Sequence, residues 1–516
     1  MITNHDDRQS HASALSPAQR WAALAVLSAS LVVISIDMTI LNVALPHITT
    51  DLTPTAAQQL WIVDIYALVL AGLLVPMSAV ADRFGRKRIL LTGFGVFAVA
   101  SLLVLTATTP SLVIAIRALL GIGGAMIMPT TLSMIRVIFT DPKERATALG
   151  IWAAVSSLGM AVGPVVGGLL LEYYSWQSAF LINVPLMAIA LIAGLFLLPE
   201  FRSATPPQWD TIGALASISG MAALVWSIKH FAHEGVGDLS GWAVFSAAVL
   251  ALTWFVRRCL SRSNPMLDLR LFRNGPFTAG IVAALTFMFA MSALLLLAAQ
   301  WLQLVRGSSP LEAGLSMLPA VLAVGVASPL APALADRIGA RAVLGGGLAV
   351  AGLGFLVIFL APTPLSYGWM VIALILLGSG GSSLAVGSAI IMSGTPQDKA
   401  GNAAALEETS YELGSVLGVA ILGSIAAAAY SAKLTATALA GLGLDSSQTA
   451  AARESLGGAV GVAAETGSQK LTVLANQSFV EALAQTGLAG FIIMTVAAAA
   501  VALLVPRSLD LSKQSH

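Results

Sequence analysis

Fourteen runs of mostly apolar residues, each near twenty residues long, follow one another with short polar breaks between them. They fall at roughly 21–44, 58–81, 89–108, 111–135, 146–170, 178–199, 211–229, 241–260, 277–304, 311–335, 341–361, 367–393, 401–430 and 487–506. About 20 apolar residues in an α-helix cover the hydrocarbon core of a bilayer, so the pattern predicts fourteen membrane-spanning helices. The stretch 431–486 breaks the rhythm. It is rich in Ser, Thr, Ala and Gly, is too polar to span, and is predicted as an external loop with no essential part in a binding pocket. The run from Trp21 is too long for a signal-peptide core and is followed by no small-residue cleavage site, so it reads as a retained first helix.

Two polar breaks share one pattern. Ala81-Asp82-Arg83-Phe84-Gly85-Arg86-Lys87 returns in outline as Ala335-Asp336-Arg337-Ile338-Gly339-Ala340-Arg341, each copy near the start of its half. The copies follow predicted helices 2 and 10. An even number of helices separates them, so both lie on the same side of the membrane, as a parallel repeat requires. The predicted fold is an all-α membrane protein of two six-helix bundles, helices 1–6 and 9–14, with an inserted pair, helices 7 and 8. The divisions are a tail 1–20, an N-terminal bundle 21–199, linkers with the inserted pair 200–276, a C-terminal bundle 277–506 including the loop 431–486, and a tail 507–516. Polar linkers around Pro206-Pro207 and Asn264-Pro265 bound the insert.

Charge sets the orientation. With both termini in the cytoplasm, inside segments hold 20 of the 26 lysines and arginines, and outside segments hold Lys229, Arg306, Lys433, Arg453 and Lys470. The remaining one, Arg117, lies within a helix. Of the 516 residues 57% are hydrophobic and 10% charged, against about 25% charged in soluble proteins. The net charge of +1 argues against nucleic acid as a partner. The lone Cys259 forms no disulfide within the chain, and the six histidines sit in tails, loops or segment ends, so no metal site is expected. No G-x-x-x-x-G-K-[ST] loop for ATP is present, and no nucleophile–base set marks an enzyme.

Six ionisable residues fall within the predicted spans: Asp37, Asp64, Arg117, Glu407, Glu408 and Glu412. Each costs about 2.5–3.5 kcal/mol at a helix centre on insertion scales, and such residues persist where they line a water path, pair, or titrate. Five acids against one base need protons or a cationic guest for neutrality. Asp37 lies deep, Asp64 near the outer end of helix 2, and Glu407 and Glu408 near the inner end of helix 13, so the acids are expected at two levels rather than in one ring. Glu408 and Glu412 share a helix face while Glu407 is rotated by about 100°, which leaves open which of the three faces a cavity. Trp61, Tyr66, Trp152 and Tyr411 are the aromatic candidates for a cation cavity, where cation–π contact contributes about 0.5–2 kcal/mol. Gly159, Gly163 and Gly167 make one smooth helix face with Pro164 inside it, a pattern expected of a close-packed pivot. The hairpin residues Asp82, Arg83, Gly85, Arg86 and Lys87 read as a breakable latch, with Gly85 allowing the turn.

Beyond the hairpin, the runs Asp37-Met38-Thr39-Ile40-Leu41-Asn42-Val43-Ala44-Leu45-Pro46, Leu60-Trp61-Ile62-Val63-Asp64-Ile65-Tyr66, the Gly-Pro stretch at 159–168 and Trp176-Gln177-Ser178-Ala179-Phe180-Leu181-Ile182-Asn183-Val184-Pro185 resemble the fourteen-span drug–proton antiporters of the major facilitator superfamily. Within that group the chain looks most like the QacA-type exporters of quaternary ammonium antiseptics and dyes. The resemblance implies that Asp37 is the helix-1 acid, that Arg117 tunes proton affinity, that Gly163-Pro164 is the antiporter signature, and that Asp82 through Lys87 form the conformational gate. It also implies a multi-pass protein of the cell membrane that exports lipophilic cationic drugs, uses protons as coupling ion without any other cofactor, contacts lipids, and works as a monomer. Two positions depart from the pattern: Ser78 where the gate motif opens with Gly, and apolar Val324 where some relatives that handle dications carry an acid. Weak export of long dications, improved by Val324→Asp, is the expectation that follows.

Overall fold

In lipid every backbone amide must find its partner within its own segment, so the apolar runs have little choice but to be helical. The computed structural model describes residues 15–54, 56–203, 210–234, 237–263, 265–435 and 439–506. Most of both tails, Pro206-Pro207 and Asn264 lie outside the described residues, as do the side chains of Asp64 and Pro164.

Among the described residues, fourteen helices are long and apolar enough to cross a membrane. They are α1 (Pro17–Leu52), α2 (Ala56–Phe84), α3 (Arg86–Leu103), α4 (Pro110–Ile138), α5 (Pro142–Tyr173) and α6 (Ser178–Leu197) in the first bundle. The inserted pair is α7 (Thr211–Glu234) and α8 (Leu239–Ser261). The second bundle holds α9 (Gly275–Val305), α10 (Leu311–Ile338), α11 (Ala340–Leu360), α12 (Tyr367–Ser393), α13 (Ala400–Lys433) and α14 (Gln469–Leu504). Local sequence sets several boundaries. Thr109 and Asp141 accept hydrogen bonds from the first free amides of α4 and α5, each with a proline in the first turn. The two repeat hairpins have matching backbones, with Gly85 at φ +114° and Gly339 at φ +90°, a region other residues avoid.

The predicted loop 431–486 and the predicted start of the last span at 487 are corrected. α14 begins at Gln469, and two short helices, Ser446–Glu454 and Leu456–Thr466, precede it. Hydropathy detects lipid contact, not helicity, so it missed a polar extension held by Lys433–Glu481 (2.8 Å). The segment is also tied down: the Tyr430 hydroxyl donates to the Ala452 carbonyl at 3.0 Å, and Arg453 Nε donates to the Leu434 carbonyl at 2.9 Å.

Within the bundles α1 packs on α5, α2 on α4, α9 on α13 and α11 on α14. Between them α5 crosses α10 and α2 crosses α13. The α5–α10 crossing is close, since a Cβ on Gly150 would come within 2.7 Å of the Ser328 carbonyl oxygen. The inserted pair docks beside the α2–α13 crossing, where Leu68 and Ala71 meet Met221 and Val225, with Leu413 and Val416 against them. The hairpin-bearing end of the two bundles is closed by polar contacts.

Candidate functional site

A buried ion pair occupies the centre of the first bundle. Asp37 of α1 is wholly buried and Arg117 of α4 is 2% exposed, with Arg117 Nη1 2.9 Å from Asp37 Oδ2. Asn183, at the head of the main segment of α6, donates through Nδ2 to Asp37 Oδ1 at 2.9 Å and to Ser101 Oγ of α3 at 3.4 Å. Arg117 also donates from Nε to the Ile62 carbonyl (3.2 Å), and its guanidinium lies 4.6 Å from the centre of the buried Tyr66 ring. Asp37 therefore has a basic partner and an amide partner, from helices distant in sequence. Asn183 stood inside a motif read from the sequence but was not picked as functional, because nothing local reveals that it faces α1.

The second group is on α13. Glu407 and Glu408 are wholly buried. The Tyr411 hydroxyl donates to Glu407 Oε1 at 2.5 Å, whereas neither oxygen of Glu408 has a hydrogen-bond partner among the described residues. Tyr411 faces Trp152 of α5, with ring centres 6.4 Å apart, and the Trp152 indole donates to Thr131 Oγ1 (3.4 Å). Glu412 is partly exposed and lies within charge–charge range of both Glu408 and the Tyr66 hydroxyl, which also feels Asp37. The Tyr66 hydroxyl has no hydrogen-bond partner among the described residues and feels the charges of both Asp37 and Glu412. Trp61 stands apart, 42% exposed on α2. The side chain of Asp64, also a candidate, lies outside the described residues.

The hairpin residues divide by role. Asp82 and Arg86 are wholly buried and joined at 2.8–2.9 Å. Arg86 also donates to the Ser133 carbonyl (3.2 Å) and stacks 4.7 Å from the Phe201 ring centre. The other oxygen of Asp82 abuts Gly401 in the first turn of α13, where a Cβ would collide with it. Ser78, in the position where the motif usually has Gly, donates to the Gly401 carbonyl at 2.5 Å. The first turn of a helix presents free N–H groups and partial positive charge, so a carboxylate is favoured there. Lys87 instead anchors its own bundle, donating to the Leu195 carbonyl at 2.7 Å. Arg83 is exposed over the Phe84 ring. In the second repeat Asp336 is 41% exposed and, among the described residues, its charged partner is Lys143, at 3.8 Å. The duplicated motif therefore makes one buried latch, not two.

A further set of latch contacts was read from sequence as plain positive-inside charge. Arg136 donates to the Thr395 carbonyl (3.3 Å) and buried Arg145 to Ser393 Oγ (2.8 Å), both at the end of α12 where helix carbonyls are free. Lys399 pairs with Asp268 at 2.5 Å. Burial pushes the Asp268 carboxyl up, but the hydrogen bonds and charge of Lys399 outweigh it and hold it below the usual carboxylate range. The turn from α12 to α13 is thus gripped at both ends by opposite charges matched to the helix dipoles.

The glycine face is a seam within one bundle. Gly159, Gly163 and Gly167 of α5 lie against Val32 and Ser35, Ile36 and Thr39, and Ile40 of α1, with no room for a side chain at any of the three. α5 runs unbroken from Pro142 to Tyr173. Val324 is wholly buried in the second bundle with its γ-methyls against Gly381 of α12. A carboxylate there would be enclosed in the α10–α12 seam, as Asp37 and Glu408 are enclosed where they stand.

The family model described as Major Facilitator Superfamily matches residues 27–419 and 280–507. The chain is 40% identical over 490 residues to the multidrug efflux pump LfrA of Mycolicibacterium smegmatis, covering 94% of this chain and 96% of that protein. It is 39% identical over 453 residues to the methyl viologen resistance protein SmvA of Salmonella typhimurium, covering 86% and 89%. Among solved structures, the human organic anion transporter MFSD10 (TETRAN) superposes with a TM-score of 0.57 at 16% identity, over 93% of this chain and 100% of that one, a likeness of fold.

Proposed function

The chain belongs to the Major Facilitator Superfamily, and on that premise we propose that it is a proton-coupled antiporter that expels lipophilic cations, among them quaternary ammonium antiseptics and dyes. It is a multi-pass transporter of the cell membrane, not an enzyme. The observation that carries the cation and proton reading is Glu408, enclosed beside Glu407 with neither oxygen hydrogen-bonded among the described residues. A buried, unpartnered carboxylate is costly unless it is neutralised by a proton or by a cation. A site that alternates between those two neutralising partners exchanges one for the other. Tyr411 and Trp152 beside it offer π-faces to a cationic guest. The names of two relatives, a multidrug efflux pump and a methyl viologen resistance protein, agree with this reading.

The deciding experiment is proton release from the purified protein in weakly buffered detergent solution when a cation is added. Ethidium and benzalkonium are expected to release protons, and an anionic compound of similar size is not. Methyl viologen, a compact dication, is also expected to act, since Glu408 and Glu412 share a face within charge–charge range of one another. Long diamidines are expected to act weakly. Cation binding with no proton release would remove the antiport mechanism.

We place both termini, and the closed hairpin end, in the cytoplasm. Ser447 is exposed in the segment between α13 and α14, so the cysteine of Ser447→Cys is expected to react with an impermeant thiol reagent added to intact cells or spheroplasts. Labelling that appears only after permeabilisation would invert the topology.

A further inference from the structure

The Asn183 amide has a capacity that its contacts leave unused. The side chain is wholly buried where α1, α3 and α6 meet, and its Oδ1 has no hydrogen-bond partner among the described residues while Nδ2 serves both Asp37 and Ser101. Asp37 meanwhile has donors on both oxygens, Asn183 on Oδ1 and Arg117 on Oδ2. That arrangement suits a carboxylate, which only accepts. A protonated carboxyl must also donate. Arg117 has no acceptor to offer, but Asn183 carries one on the same carbon as its donor.

We propose that Asn183 is a positioning residue that follows the protonation state of Asp37 by turning its amide. With Asp37 charged, Nδ2 faces Oδ1. When Asp37 takes up a proton on Oδ1, a half-turn about χ2 presents the amide oxygen to the new O–H. That terminal torsion is broad and roughly two-fold, so no rotamer penalty opposes the turn. The Ser101 hydroxyl follows, because it can accept from Nδ2 in one state and donate to the amide oxygen in the other. Arg117 keeps its bond to Oδ2 throughout, and the two bonds the amide makes, to Asp37 and to Ser101, exist in both states with their direction reversed, while the position now held by the unpaired Oδ1 passes to Nδ2.

Among the described residues, the charged and titratable groups around Asp37 are Arg117 from α4 and Tyr66 from α2, and Tyr66 also feels Glu412 from α13. α3 and α6 present Ser101 and Asn183, and α5 presents Ser156 against Ser35 and Gly163 against Thr39, none of them titratable near neutral pH.

This inference rests on Asp37 being a coupling acid, and the test separates the two. The readout is the infrared C=O band of protonated carboxyls in the full-length protein in lipid nanodiscs, titrated with pH, with ethidium-induced proton release beside it. The Asp37 band is assigned by its loss in Asp37→Asn. Asn183→Leu, close in size but without hydrogen-bonding groups, is expected to move that band towards the frequency of a carboxyl whose O–H has no acceptor. It is also expected to shift the titration up by about one pH unit, because the bond lost from the charged form is the stronger one. Ser101→Ala is expected to shift the midpoint in the same direction by less. A second measurement requires no apolar variant: the side-chain amide signal of ¹⁵N-labelled Asn183, assigned through Asn183→Gln, is expected to change with the same midpoint as the Asp37 band. An Asn183→Leu protein with unaltered band and midpoint, or an amide signal indifferent to that titration, overturns the inference and leaves the coupling role of Asp37 standing. A band and proton release that survive Asp37→Asn overturn the coupling role and this inference with it.

Discussion

Asp37→Asn is expected to reduce cation efflux to the background of cells lacking the transporter and to abolish cation-induced proton release, with the protein still present in the membrane. The amide fills the space of the carboxylate but neither ionises nor neutralises Arg117, which is 2% exposed. Removing one partner of a buried pair typically costs about 3–5 kcal/mol, because the other charge is left enclosed. The variant should therefore also lose thermal stability, and loss of transport alone would not separate chemistry from folding. A double variant does. Asp37→Asn with Arg117→Met removes the stranded charge and is expected to regain most of the stability and none of the proton release. Full efflux and full proton release in Asp37→Asn would dismiss the residue from the mechanism.

Gly163→Leu is expected to be as damaging, for a reason the sequence did not provide. The glycine pattern suggested a pivot whose loss would stop transport but leave cation binding largely intact. In the structure Gly163 lies against Thr39 and the Ile36 carbonyl, the two sides of the helical turn of α1 that carries Asp37. A leucine there must push α1 away from α5 and draw Asp37 off Arg117 and Asn183. Misplacements on the scale of 1 Å at a reacting group can cost on the order of a hundredfold in rate. Transport at background with cation binding weakened as well is the expected result, with Gly163→Ala intermediate. The control is five residues away: a Cβ on Gly168 meets nothing within 4 Å, so Gly168→Leu is expected to leave efflux unchanged. Equal loss in both variants would point to a general intolerance of α5 and away from the α1 seam.

The order of contributions at the hairpin shows how far sequence reasoning reached. It identified Asp82, Gly85 and Arg86 from a repeated pattern, and the positive φ of Gly85 and Gly339 confirms that the same turn was duplicated. It did not distinguish the copies. Asp82 meets the first turn of α13, whereas Asp336 remains 41% exposed near Lys143. That difference belongs to what lies opposite each copy, not to the copies themselves. Arg136 and Arg145 were hidden for a related reason, since an arginine that anchors a loop to the cytoplasm and one that grips the end of α12 look alike along the chain.

What the sequence determined by itself was whatever a single segment must satisfy alone. A bilayer requires each span to be apolar and internally hydrogen-bonded, so spans, repeat, inserted pair and intramembrane acids could be read one segment at a time. What only the tertiary structure decided was partnership. Asp37 has Arg117 and Asn183, Arg117 lies over the Tyr66 ring, and Val324 is shut against Gly381 because helices far apart in sequence lie side by side. The polar start of α14 belongs with these: it is helical because it packs against its neighbours, and no lipid-derived pattern marks a helix held by protein. Hydrophobicity is a property of each residue in its own solvent, whereas charge neutralisation and close packing are properties of pairs. Pairs come into being only when the chain has folded.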